Sequence, residues 1–260
     1  MQLMPSLKEI EWIDVGTHEG ATVASCIPPQ FAAYVRILHP MYEDPTVKDR
    51  ELTWDEEEKL HRPPPTTDLQ AILQRTTLTY GAHDPDSDLQ RVSWAMLAKR
   101  YGLQYTPTIH VSSFTRCLAG DSWPRYLSGP AEGYLPDAER DALADILDRE
   151  LKGADCYFHF WSLATTEIKS DLLYRGPLRE VALFPNGIEA VRLTPTHWFP
   201  PDRSWLVYSD YDATHTLVGG PERLITSILE VDRLESLRVG PDTPVGYKAD
   251  AANLPPAGSA

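Results

Sequence analysis

Asp210 and Asp212, one residue apart and followed by His215, are the densest set of groups in this chain with the chemistry of a reaction centre. On a strand, side chains two apart leave the same face. Two carboxylates beside an imidazole would then offer oxygen and nitrogen ligands to a divalent cation with a position left open. Such a site would suit a metal-dependent hydrolase or transferase, with Asp210, Asp212 and His215 as its catalytic and metal-binding groups. The same aspartates can instead bend the chain by accepting hydrogen bonds from nearby backbone N–H groups. No third and fourth ligand can be named from the sequence, so bending is the reading adopted here, and no metal or other cofactor is expected.

Just upstream runs Trp198-Phe199-Pro200-Pro201-Asp202-Arg203-Ser204-Trp205, and just downstream Gly219-Gly220 precede a helix that carries Arg223. Unpaired N–H groups at a helix N-terminus can cradle a phosphate, but without a following lysine the pair reads more simply as a tight strand-to-helix turn. Trp198, Asp202, Arg203, Trp205, Gly219, Gly220 and Arg223 are therefore the candidate binding residues. Tyr157, Trp161, Trp198 and Trp205 would serve a small-ligand sensor if Trp161 and Trp205 bordered one cavity, although aromatic residues in strands mostly fill cores. His159 reads as a hydrogen-bonded core residue. His39, His110 and His197 have no recognisable acidic or nucleophilic partner in the sequence. Nucleophile elbows, phosphate loops, dinucleotide fingerprints and His-Glu-x-x-His are all missing.

The elements that must position these groups are legible in outline. Ala21–Ile27 and Phe31–Leu38 read as strands, the second stopped at His39-Pro40. Trp54–His61 reads as a short helix before three prolines. Thr67-x-x-Gln70 and Ser87-x-x-Gln90 have capping-box spacing, the latter opening a helix with Trp94, Leu97, Ala98 and Tyr101 on one side and Leu89, Val92 and Met96 on another. A long loop is expected over 106–134. Pro136 starts the clearest helix, with Leu143, Ile146, Leu147 and Leu151 on one face. Tyr157–Trp161 reads as a strand covered on both sides. Val181–Phe184 and Ile188–Leu193 read as a hairpin around Asn186-Gly187, and Trp205–Ser209 and Thr214–Val218 as another. Leu224, Ile225, Ile228 and Leu229 have helical spacing, and Leu237–Val239 precedes a flexible tail from 246 to 260.

Composition narrows the function classes. The chain has 260 residues and a formal net charge of −14, with no basic stripe to grip a polyphosphate. Nucleic acid is therefore expected to be a poor partner, and an anionic membrane no better. Residues 43–61 hold eight acids against three bases, and residues 132–155 repeat that ratio. Cys26, Cys117 and Cys156 lack ligand spacing and read as reduced thiols. The opening residues carry Glu9, Glu11, Asp14 and Glu19 rather than an apolar leader, so a cytoplasmic location is expected.

The run from Trp198 to Trp205, the Asp-x-Asp turn and Val218-Gly219-Gly220, together with Pro28-Pro29-x-Phe31 and Ile37-Leu38-His39-Pro40, resemble an uncharacterised protein family of high-GC soil bacteria. The resemblance covers about two thirds of the chain, carries over no activity, cofactor or catalytic residue, and leaves 43–90 as an insertion. The expected fold is a single α+β domain over 1–245, with a mixed, mostly antiparallel sheet of about six strands and helices packed on one side. The leading functional expectation is a non-catalytic interaction protein, immunity-like or inhibitor-like, whose acidic surfaces meet a basic partner.

Overall fold

Ala33-Tyr34-Val35-Arg36-Ile37-Leu38 has almost no polar alternation, which suits a strand covered on both faces, and all six residues are buried. A computed structural model of the protein describes residues 1–13, 22–61, 88–115, 122–151, 153–161, 170–184 and 194–253. Its strands are β1 (Gln2–Leu3), β2 (Ala33–Leu38), β3 (Met41–Glu43), β4 (Gln90–Val92), β5 (Leu127–Ser128), β6 (Asp155–Phe160), β7 (Leu172–Pro177), β8 (His197–Phe199), β9 (Leu206–Tyr208), β10 (His215–Gly220) and β11 (Ser236–Val239). Eight of them form one antiparallel sheet in the order β1-β7-β6-β8-β9-β10-β2-β11, and β4-β3-β5 form a second, three-stranded one. The α+β class and the mostly antiparallel sheet are as expected, with eight strands in place of six.

The helices are α1 (Trp54–His61), α2 (Trp94–Arg100), α3 (Val111–Thr115), α4 (Asp137–Leu151) and α5 (Glu222–Leu229). α4 and α5 lie on the first face of the large sheet. There Leu143, Ile146, Leu147, Leu224, Ile225 and Ile228 close over Val35, Ile37, Phe158, Trp198, Trp205, Val207 and Val218. Each such aliphatic side chain taken out of water is worth about 1.5–3 kcal/mol, so this layer is the main store of stability. The second face carries Tyr34, Tyr157, Leu173, Phe199, Leu206, Tyr208 and Leu217. It is covered by the N-terminal segment through Met4, Ile10, Trp12 and Ile13 and by the turn holding Val23 and Ile27. A third cluster around Trp94, Leu97, Ile109, Phe114 and Leu127 joins the small sheet to α2 and α3. Among the described residues, no helix is long and apolar enough to cross a membrane.

Several local expectations are corrected. Val23–Ser25 is a 3-10 turn, closed by reciprocal Thr22–Ser25 capping, because short hydroxyl side chains bonding locally compete with a sheet ladder. α2 begins at Trp94: Ser93 Oγ accepts from the Met96 N–H, the Glu235 carboxylate accepts from Trp94 and Ala95, and Gln90–Val92 is extended. Met96 is exposed, so α2 is buried on one side only. Leu178–Leu183 is a 3-10 helix, so Val181–Phe184 is not a strand arm; the Asn186-Gly187 turn, the Thr67-x-x-Gln70 pair and Ser87 lie outside the described residues. The expected loop over 106–134 contains α3 and β5. Within the stretch expected as a tail, Asp250 is fully buried and Asn253 exchanges two hydrogen bonds with the Gln104 backbone, while residues 254–260 lie outside the described residues.

Candidate functional site

The register places one row of side chains straight across the second face of the large sheet. Leu173, His159, His197, Tyr208, Leu217, Arg36 and Leu237 are successive Cα partners on β7, β6, β8, β9, β10, β2 and β11. Asp171 stands just before β7, diagonal to His159, where same-face neighbours reach one another. The fold therefore gathers two histidines, a tyrosine and an aspartate that lie up to 49 positions apart, and a fully buried arginine further along the same row.

His159 and His197 meet through their Nδ1 atoms, 2.9 Å apart. Their rings are tilted by only 11°, with centroids 5.2 Å apart. That separation is the N···N distance plus one ring radius at either end, so the rings lie edge to edge and the two nitrogens point at each other. An ion bound by both at tetrahedral angles would hold them about 3.3 Å apart with the rings turned inward. Collinear nitrogens at 2.9 Å instead share one proton. His159 Nε2 lies 3.1 Å from Asp171 Oδ2. A carboxylate only accepts, so Nε2 of His159 donates to it. In the neutral pair His159 Nδ1 is then the acceptor, His197 Nδ1 the donor, and His197 Nε2 carries a bare lone pair. That nitrogen is buried and has no hydrogen-bond partner among the described residues. Trp161 meets the His197 ring edge-on at 5.5 Å, and Tyr208 lies 5.3 Å away on another side. Burial, reinforced by His159, holds His197 well below the ordinary histidine range; burial also lowers His159, against the opposing pull of Asp171.

The residues singled out from sequence behave differently. Asp210 Oδ1 accepts from the Asp212 N–H at 2.9 Å, Oδ2 accepts from the Tyr208 hydroxyl at 2.9 Å, and the Ala213 N–H closes the turn on the Asp210 carbonyl. Asp212 is exposed. His215 is buried on the strand beyond, with its Nδ1 facing Arg36 Nη2 at 3.4 Å. A guanidinium only donates, so that lone pair is occupied and His215 stays neutral. Asp210, Asp212 and His215 thus do not converge, and the divalent-cation reading built on them is corrected. More widely, no three histidine, cysteine or acidic side chains among the described residues are placed to hold a metal.

No protein-family model, curated protein or solved structure matches this chain.

Trp198 and Trp205 belong to the first face and Trp161 to the second, so the sheet separates Trp161 from Trp205 and they border no common cavity. Asp202 Oδ1 accepts from the Ser204 N–H, and Arg203 lies over the Trp12 ring while approaching Glu9. Arg203 lines a shallow hollow with Gln30, Phe31, Ser204, Gly220 and Pro221. A Cβ on Gly219 would fall 2.6 Å from the Phe31 ring, and one on Gly220 2.9 Å from Leu224. Both glycines are needed for packing, which accounts for them without a phosphate. Arg223 is taken up by Glu150 at 2.5 Å.

The two acidic segments also separate. On α4, Asp137 and Asp141 pair with Arg140, Asp145 and Asp148 with Arg179, Glu150 with Arg223, and the buried Glu139 with Arg91 and Arg233. Around α1, Glu57 pairs with Arg125 and Glu56 closes a capping box with Thr53. Glu51, Asp55, Glu56 and Glu58 are exposed and have no ion-pair partner among the described residues, and Trp54 and Leu60, at the two ends of α1, are exposed as well.

Proposed function

We propose that this chain is a non-catalytic interaction protein of the cytoplasm, immunity-like or inhibitor-like, that presents α1 and the turn before it to a partner with a basic surface. The observation that supports the reading is the contrast in charge compensation. Every acid of α4 has a basic neighbour, so that helix projects little field, while Glu51, Asp55, Glu56 and Glu58 keep theirs. Uncompensated charges steer a complementary partner toward encounter and discriminate against wrong ones. Trp54 and Leu60 supply the apolar centre that charged rims surround at protein interfaces, where aromatic anchors carry much of the binding energy.

The test is affinity capture of soluble bacterial extract at low and high salt with three versions of the full chain. A basic protein should be retained by the wild type and by an α4 control carrying Asp141→Asn, Asp145→Asn and Asp148→Asn. It should be released by salt, and lost at least tenfold in a variant carrying Glu51→Gln, Asp55→Asn, Glu56→Gln and Glu58→Gln. The Gln at 56 preserves the capping box, so folding is not the cause of any loss. Capture indifferent to the 51–58 changes, or equally sensitive to the α4 changes, would remove the proposal.

A further inference from the structure

We propose that Asp171, His159 and His197 form a proton relay whose accepting end, Nε2 of His197, is the base of a binding site for a small hydroxyl-bearing aromatic molecule. The site lies against Trp161 and Tyr208, away from the acidic surface of α1. Asp171 holds the Nε2 proton of His159, which leaves His159 Nδ1 as an acceptor for His197 Nδ1–H at 2.9 Å. The chain ends on a lone pair rather than on a hydrogen. A buried imidazole nitrogen without a partner keeps its full desolvation penalty, and none of the described residues relieves it. What it lacks is a donor.

The surroundings narrow the class of donor. Among the described residues the ring neighbours of His197, besides His159, are Trp161 and Tyr208, themselves edge-on to each other at 6.0 Å. The Tyr208 hydroxyl is committed to Asp210, so it presents its ring rather than its hydroxyl. Aromatic walls with one acceptor favour a flat guest that carries one O–H group. Trp161 is the partly exposed member of the group: its backbone N–H donates to Thr196 Oγ1 at 3.2 Å, which fixes the chain there, and its side chain is the one that must turn aside for entry. Transfer through the relay balances. The O–H bond of the guest breaks as Nε2–H forms on His197, and the Nδ1–H of His197 passes to Nδ1 of His159. The resulting imidazolium then rests against the Asp171 carboxylate while the guest oxygen keeps the electron pair.

Ring-nitrogen spectra of the full chain labelled with 15N-histidine test this at neutral pH. The expected result is hydrogen on His159 Nε2 and on His197 Nδ1, and none on His197 Nε2. Phenol, used as the probe, should shift the Nε2 signal of His197 saturably, whereas anisole, which cannot donate, should leave it unmoved. Asp171→Asn should weaken the phenol response at least tenfold; should that variant fail to fold, the two wild-type arms decide alone. A hydrogen on His197 Nε2 in the wild type, or the same response to phenol and anisole, would overturn the proposal.

Discussion

Arg36 and His215 stand side by side on the second face of the sheet, Nη2 of one 3.4 Å from Nδ1 of the other, and the guanidinium decides what the imidazole can be. Its Nη1 donates to the carbonyls of Pro107 and Ile109 at 3.1 and 2.8 Å, tying β2 to the loop before α3. The whole side chain is buried, and burial lowers its pKa to about 10 against the opposing pull of Asp250. Asp250 is buried as well and accepts from Ser113 and Asn253. The two charges therefore compensate each other through space across the junction of three chain segments.

Removing one member of a buried charge pair strands the other, at a cost of about 3–5 kcal/mol. Arg36→Met keeps the volume and drops the charge, and should destabilise the fold by that amount in urea unfolding. Asp250→Asn should also be costly. The double variant should cost less than the two singles together, by about 0.5–3 kcal/mol of coupling. Strict additivity would show that Asp250 plays no part in holding the Arg36 charge.

What the sequence disclosed and what it hid divide along the range of the interaction. The α4 stripe from Leu143 to Leu151, the Asp210–Ala213 bend and the start of α5 after Gly219-Gly220-Pro221 were readable because each depends on neighbours a few positions away. Val181–Phe184 misled because a short apolar run has no period long enough to separate strand from helix. His159 and His197 looked unrelated for a different reason. They are 38 positions apart, and only the strand order β7-β6-β8 and its register set them opposite each other with Asp171 alongside. Likewise, composition located two acidic segments without revealing that Arg140, Arg179 and Arg223 neutralise one of them.

The buried histidines set the pH response. His39 lies wholly inside, its Nδ1 donating to the Ala131 carbonyl at 2.7 Å and its Nε2 facing Thr216 Oγ1 at 3.1 Å. Burial pushes its pKa down to about 4, opposed by the Ala131 bond, whereas an unfolded histidine titrates near 6.5. The unfolded chain therefore binds the extra proton first. This contribution to stability is complete above about pH 6.5, falls as the pH drops, and is gone near pH 4, a loss of about 3 kcal/mol. His159, His197 and His215 are lowered in the same direction and add to the slope. Urea unfolding between pH 7 and 5, above most carboxylate titrations, should show stability falling steadily, and His39→Asn should flatten part of that fall. A flat profile in the wild type would contradict neutral burial of these rings.

Gly133 ties the segment before α4 to the β9–β10 turn. Its N–H donates to the Ala213 carbonyl at 2.9 Å, and its own carbonyl accepts from the Thr194 N–H at 3.1 Å. Its φ is +65°, and an added Cβ would lie 2.6 Å from the Tyr211 carbonyl oxygen and 2.7 Å from the Tyr211 Cα. Both obstacles are backbone, so the Asp210–Ala213 turn itself would have to move. Gly102 offers the control: its φ is +68° but nothing stands within 4 Å of an added Cβ. Gly102→Ala should therefore show the left-handed penalty alone, about 1–2 kcal/mol. Gly133→Ala should add about 1–3 kcal/mol of overpacking and weaken the Tyr208–Asp210 hydrogen bond as the turn shifts. Paired urea unfolding measures the difference, and tyrosine hydroxyl exchange reports the bond. Equal costs for the two substitutions would mean that Gly133 serves its own backbone angle and not the seating of this turn.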